Sequence, residues 1–270
     1  MSGVRGIVLD MEGVLHVDWR PIDGSAEAVG ALAASGIELG VLTNTTGRTR
    51  AEIAERLAGM GFLIPAGRII TAASAAADHL RARHPGERVF AMIEAGVEPD
   101  MEGVKLVDDP AQAEVMLLGG PDDSWTYARL NAVFRALRSG VPLVAMQRNR
   151  WWPTADGPSL DAGMFVAGLE YSASVTAAVI GKPSPAIYRT ACELLGVTPE
   201  TAMMVGDDPE SDLAPAAGIG MRTCLVRTGK GASFAGVDVD LDLPDLAALP
   251  DALAGLTPLV RSLRDAPPQP

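Results

Sequence analysis

Cysteine, histidine and aromatic residues are scarce in this chain of 270 residues, with two Cys, three His and 4% Phe, Trp and Tyr. Two cysteines, Cys192 and Cys224, cannot frame a disulfide scaffold and fit no metal-ligand spacing, so both read as small buried hydrophobes. His16, His79 and His84 show no ligand spacing either. Basic residues are also outnumbered: 22 Lys and Arg face 34 Asp and Glu, and a net charge of −12 argues against a nucleic-acid or anionic-membrane partner. No run approaches the ~18–20 apolar residues of a membrane span, and no basic segment leads into an apolar stretch at the N-terminus. A cytoplasmic location is therefore expected. No Gly-x-Gly-x-x-Gly follows the first apolar run, which disfavours a nicotinamide enzyme.

What is present is a series of four polar motifs, each behind a short apolar run: Asp10-Met11-Glu12-Gly13-Val14, Thr43-Asn44, Lys182-Pro183, and Gly206-Asp207-Asp208 followed by Asp212. Val4 to Leu9, Ile37 to Leu42, Val175 to Ile180 and Ala202 to Val205 suit strands of a parallel sheet buried on both faces. Ligands of open α/β sheets bind outside the carboxyl ends of the strands, so four polar clusters at four strand ends converge on one crevice. The expected fold class is α/β, with a doubly wound parallel-sheet core.

The segments between the motifs read as helices. Ser184-Pro185 is an N-cap followed by proline, with an apolar stripe ending at Gly196; Thr49 and Glu52 have capping-box spacing; Ser124 opens a helix that stops at Gly140. Asp10 to Thr43 spans 33 residues and Lys182 to Asp207 spans 25, each about one strand–helix–strand unit, whereas Thr43 to Lys182 spans 139. That interval is too long for a loop. It carries its own pattern, with helices near 73–83, 124–139 and 161–172 and strands near 88–93, 114–119 and 142–147. The spacing predicts a core of residues 1–71 and 178–270 with an inserted α/β lid over 72–177, about the size of an ordinary domain. The tail from Arg264 to Pro270 reads as frayed.

Asp10, Asp207, Asp208 and Asp212 would crowd one crevice, and two like charges ~4 Å apart repel by about 4 kcal/mol at an effective dielectric near 20. Such a cluster needs a counter-ion. Oxygen ligands without His or Cys favour a hard cation, and Mg²⁺, which keeps waters and binds substrate phosphate, fits best. One carboxylate can then act as a nucleophile and form an aspartyl-phosphate. The Thr43 hydroxyl and the Lys182 ammonium would bind phosphoryl oxygens. Each motif alone has an ordinary reading as a turn, a cap or a surface lysine. Their agreement in type, order and strand-end position outweighs those readings.

These residues resemble the haloacid dehalogenase (HAD) superfamily of aspartate-nucleophile phosphohydrolases, and the insertion looks like the C2-type cap of its NagD-like subgroup. Thr43-Asn44-Thr45-Thr46, Arg150-Trp151-Trp152, Asp156-Gly157, Gly181-Lys182-Pro183 and Gly206-Asp207-Asp208 look most like the branch that holds the phospholysine phosphohistidine inorganic pyrophosphate phosphatase-like proteins. The resemblance makes Asp10 the nucleophile and a Mg²⁺ ligand, completed by the backbone carbonyl of Glu12 and the carboxylate of Asp207. Asp208 and Asp212 would support that shell, Thr43, Asn44 and Lys182 would hold the phosphoryl group, and Arg148 and Trp151 would meet the substrate. It further implies a small phosphorylated substrate, such as a metabolite, a phosphoramidate or pyrophosphate, and a homodimer formed through the cap. One position departs from the pattern: the general acid/base two residues after the nucleophile is normally Asp and here is Glu12. A non-catalytic phosphate-binding protein with this fold, or another reaction of the superfamily such as dehalogenation, are the alternative readings.

Overall fold

The computed structural model describes residues 3–154 and 157–255. Asp156 and the tail from Arg264 to Pro270 lie outside the described residues. Contacts along the chain divide the described residues into two compact units, one within Met1–Leu42, Ala54–Ile69 and Tyr188–Pro270, the other within Thr43–Ile53 and Ile70–Ile187.

The first unit carries a six-stranded sheet in the order Leu241–Leu243, Arg222–Val226, Ala202–Gly206, Gly6–Leu9, Glu38–Thr43, Ile69–Thr71. Gly6–Leu9 pairs in parallel with Ala202–Val205 on one side and Glu38–Val41 on the other. Every residue of Gly6–Leu9 and of Ala202–Gly206 is buried, as expected of central strands covered on both faces. Full burial of side chains such as Ile7 and Leu9 favours folding by about 1.5–3 kcal/mol each. Their polar successors, Asp10 and Asp207, are held at the carboxyl edge by this core. Cys192 and Cys224 are free and buried, as their small apolar character suggests.

The second unit has a five-stranded parallel sheet in the order Ala178–Val179, Leu143–Ala145, Val115–Leu118, Arg88–Met92, Lys105–Val107. Helices Tyr127–Arg138 and Ala162–Ala173 contribute Val133, Leu137, Val166 and Leu169 to a core with Phe90, Met92, Met116 and Leu118. Trp125 packs edge-on against Phe165 at 4.9 Å. The sheet extends to Ala178–Val179, two residues beyond the expected end of the insertion at 177.

Two elements differ from the sequence reading for local reasons. The helix expected from Ser124 starts at Tyr127, because Asp122 Oδ1 accepts the Ser124 N–H in a turn and Thr126 caps the helix by accepting the Arg129 N–H. The strand expected over Val175–Ile180 shrinks to Ala178–Val179. Ser174 ends the preceding helix in the left-handed region, and Glu170 takes the N–H groups of Val175 and Ala177 through its carbonyl and carboxylate. The capping box at Thr49 and Glu52 forms as expected, with Glu52 Oε2 accepting the Thr49 N–H at 2.9 Å. No helix of the described residues is long and apolar enough to cross a membrane.

Candidate active site

Parallel pairing aims the acids. The Asp10 N–H donates to the Val205 carbonyl at 2.9 Å, which continues the ladder one step past Leu9, and Asp207 follows the neighbouring strand directly. Asp212 lies on the turn Pro209–Leu213 that Asp208 caps, accepting the N–H groups of Glu210 and Ser211. One carboxylate oxygen from each of Asp10, Asp207 and Asp212 lies within 4.8 Å of the others, and the three residues are only 7%, 4% and 0% exposed. Two full charges at that separation repel by about 3–4 kcal/mol at an effective dielectric near 20. Buried oxygens of like charge, with no nitrogen or sulfur among them, form a donor set that fits a hard divalent cation.

The backbone makes room for these carboxylates and then binds them. A Cβ on Gly13 (φ +82°) would fall 2.2 Å from Asp207 Oδ2, and one on Gly229 (φ +52°) would meet the same oxygen at the same distance, so both left-handed positions require glycine. The Lys230 N–H donates to Asp207 Oδ2 at 2.7 Å, and the Thr228 hydroxyl donates to the Gly13 carbonyl. Lys230 Nζ pairs with Asp208 Oδ2 at 2.9 Å. Burial pushes the Asp208 carboxyl up, but hydrogen bonds from Lys230, Ser211 and Glu210 outweigh it and hold it below the usual carboxylate range. Burial likewise pushes Lys230 down, while the Asp208 bond and the charges of Asp208, Asp207 and Asp10 raise it above the ordinary lysine value. Sequence reasoning missed Thr228, Gly229 and Lys230. Their only signal was a glycine three residues past an apolar run, which is common to many turns.

Glu12 points into a hairpin. Its Oε1 accepts the Asp18 N–H at 2.8 Å and its Oε2 lies 3.0 Å from His16 Nδ1. Burial works to raise this carboxyl, and the bonds from His16 and Asp18 overcome it to leave the group below its normal value. His16 is fully buried rather than on the surface, stacked on Trp19 at 4.7 Å, with Arg56 4.8 Å from that indole ring. His16 thus holds the Glu12 carboxylate from within the core.

Thr43 is the last residue of the strand Glu38–Thr43, and the next residue, Asn44, bonds to Lys182, three residues past the strand Ala178–Val179. Asn44 Oδ1 accepts the Lys182 N–H at 2.8 Å, and Asn44 Nδ2 donates to the Lys182 carbonyl at 2.9 Å and to Asn149 Oδ1 at 3.4 Å. The amide side chain thus braces the backbone of Lys182. Thr43 Oγ1 accepts the Thr45 N–H at 3.3 Å and lies 2.9 Å from Thr45 Oγ1. Lys182 and Thr43 are both buried.

The side chains expected to meet the substrate lie at the surface of the second unit. Arg148 is exposed and pairs with Glu170 at 2.6 Å, and Trp151 is 55% exposed on the hairpin Trp151–Thr154 with Gly157–Leu160. Asp161 is a buried cap that accepts from Ala162 N–H and Gln147 Nε2.

Comparison with known proteins agrees with this geometry. Residues 7–107 match the family described as haloacid dehalogenase-like hydrolase, and residues 179–251 match the one described as HAD-hydrolase-like. The chain is 32% identical over 227 residues to haloacid dehalogenase-like hydrolase domain-containing protein 2 of Bos taurus, covering 84% of this chain and 85% of that protein. It is 33% identical over 263 residues to phospholysine phosphohistidine inorganic pyrophosphate phosphatase of Danio rerio, covering 94% and 95%. Among solved structures, p-nitrophenyl phosphatase from Archaeoglobus fulgidus superposes with a TM-score of 0.86 at 27% identity, over 93% of this chain and 99% of that one.

Proposed function

The chain belongs to the haloacid dehalogenase-like hydrolases, and from that membership we propose that it is a Mg²⁺-dependent phosphohydrolase working through an aspartyl-phosphate on Asp10. The observation that carries the reading is the gathering of Asp10 and Asp207, at the ends of adjacent buried strands, with Asp212 from the turn Pro209–Leu213. Mg²⁺ would be held by Asp10, Asp207 and the backbone carbonyl of Glu12, with Asp212 and Asp208 in support, and would supply positive charge against the phosphoryl oxygens.

The protein's own groups do the rest. A carboxylate oxygen of Asp10 attacks phosphorus in line, the bond to the leaving group breaks, and water then cleaves the acyl phosphate to restore Asp10 and release phosphate. Thr43 donates its hydroxyl proton to a phosphoryl oxygen, and the Lys182 ammonium offsets the charge there. The Asn44 side chain is committed to Lys182, so its backbone N–H is the group offered to the phosphoryl.

Glu12 stands where a general acid belongs, a task worth ~10²–10⁴-fold in rate, yet its carboxylate is bonded to His16 and Asp18. Leaving groups that depart with little help should therefore be preferred: aryl phosphates, phosphoramidates or pyrophosphate over alkyl phosphates. In this reading residues 72–177 are a cap whose exposed Trp151, Trp152 and Leu160 supply substrate contacts or a homodimer contact, since exposed apolar side chains that adjoin mark interaction surfaces. Two free, buried cysteines suit a cytoplasmic protein.

A panel of phosphomonoesters, phosphoramidates and pyrophosphate assayed with Mg²⁺ tests the proposal. Turnover should require Mg²⁺ and favour the easily departing groups. Asp10→Asn should leave less than roughly 1% of it, since nucleophile and ligand charge go together. An Asp10→Asn enzyme with a tenth of the wild-type rate would rule out the covalent route.

A further inference from the structure

Glu94 sits two residues past the strand Arg88–Met92, outside every motif of the proposed reaction. Its Oε2 accepts the hydroxyl of Thr46 at 2.9 Å, three residues along the loop from Thr43. The carboxylate lies against two glycines, where a side chain would displace it from its present position. A Cβ on Gly47 would be 2.3 Å from Glu94 Oε1, and one on Gly120 would be 2.1 Å from Glu94 Oε2 and 2.4 Å from Thr46 Oγ1. Gly119 ties the second strand end to the first by donating to the Met92 carbonyl at 2.8 Å. Two strand ends and the threonine loop thus close around one acid.

A carboxylate is a poor neighbour for a phosphate-binding loop, because like charges repel and each weakens the other's binding. Its benefit has to lie in what it fixes. A hydrogen bond to a charged acceptor is stronger than one between neutral groups, and Thr46 is buried, so the bond orients the loop with little competition from water. With Thr46 pinned, Thr45 presents both its N–H and its hydroxyl to Thr43 Oγ1, at 3.3 and 2.9 Å; when the Thr45 hydroxyl donates, the Thr43 proton is left for a ligand oxygen.

We propose that Glu94 is a positioning residue for the phosphoryl-holding loop Thr43–Thr46, acting through Thr46; the inference rests on the phosphohydrolase reading above. Inorganic phosphate serves as the probe, through its inhibition constant against p-nitrophenyl phosphate, beside Mg²⁺ affinity and Tm. Glu94→Ala should weaken phosphate inhibition and raise KM about tenfold, consistent with loss of one charge-assisted bond, while Mg²⁺ affinity and Tm hold. Glu94→Gln and Thr46→Ser, which keep acceptor and donor, should stay within about threefold of wild type. Thr46→Val should match Glu94→Ala, and the double variant should be no worse than either, as for two residues sharing one interaction.

Unchanged phosphate inhibition in Glu94→Ala would overturn the proposal, and so would additive losses or a fall in phosphate affinity that merely follows Tm and Mg²⁺ affinity down. Should Glu94→Ala fail to fold, Thr46→Val against Thr46→Ser decides on the same readouts. A wild-type protein that neither hydrolyses phosphate esters nor binds phosphate would instead overturn the underlying reading, a result separable from any that concerns Glu94 alone.

Discussion

The acidic cluster of the first unit and the threonine loop of the second are built on the same plan, polar groups at the carboxyl ends of parallel strands, yet they handle energy in opposite ways. Around Asp10, Asp207 and Asp212, buried carboxylates of like charge are gathered within 4.8 Å, and the backbone N–H of Lys230 binds one of them. Around Thr43, Asn44 and Lys182, neutral hydroxyls and an amide bond to one another and to backbone. The first arrangement gathers like charge that a cation would offset, and the second is organised by hydrogen bonds among its own groups. The contrast teaches that catalytic geometry can be held either by a ligand's charge or by internal hydrogen bonding.

The sharpest way to break this comparison is to remove one acid. Asp207→Asn should cut turnover by roughly 10³-fold, the several kcal/mol a metal supplies. In metal-free buffer the same change should stabilise the fold by about 1–3 kcal/mol by relieving repulsion. For the wild type, Mg²⁺ at a hundredfold excess over Kd should add about 2.7 kcal/mol of stability, and chelation should abolish the gain. Thermal denaturation with and without chelator checks both. A metal-free variant less stable than wild type would show that the cluster is not strained.

The loop should respond the other way. Asn44→Ala leaves the Lys182 N–H and carbonyl without their partners and should cost about 1–3 kcal/mol whether Mg²⁺ is present or not. Mg²⁺ affinity by calorimetry should stay within about twofold of wild type. A variant whose stability loss vanishes on adding Mg²⁺ would erase the distinction between the two regions.

The smallest effect is expected at Lys230. The folded pKa of Asp208 is depressed, so its part of the Asp208–Lys230 pair stabilises above the unfolded value near 3.9 and is lost as pH falls through the depressed one. The folded pKa of Lys230 is raised, so its part is present below an unfolded value near 10.4 and is lost as pH climbs through the raised one. The lysine side chain is 62% exposed, which limits the pair to under about 1 kcal/mol. Lys230→Met should therefore lower Tm slightly and evenly from about pH 5 to 9, with the difference shrinking outside that window. A difference that grew on acidification would contradict the assigned pairing.

Order and spacing of residues alone were enough to place the strands that precede Asp10 and Asp207, the strand that ends at Thr43, and the α/β class, because buried parallel strands and capped helices leave local periodic patterns. They also picked out Asp10, Asp207 and Asp212 as acids that would share one crevice, and the structure gathers their carboxylates within 4.8 Å. Tertiary structure decided what lies across long separations. It set Lys230 on Asp207 and Asp208, placed Glu94 against Thr46, turned Asn44 onto Lys182 rather than outward, and bent Glu12 toward His16 and Asp18. It also moved a helix start from Ser124 to Tyr127, where a side-chain cap competed successfully with the apolar pattern. Hydrogen bonds of 2.7–3.0 Å depend on atomic placement that no periodicity encodes, and a glycine that admits a distant carboxylate looks in sequence like any other turn residue.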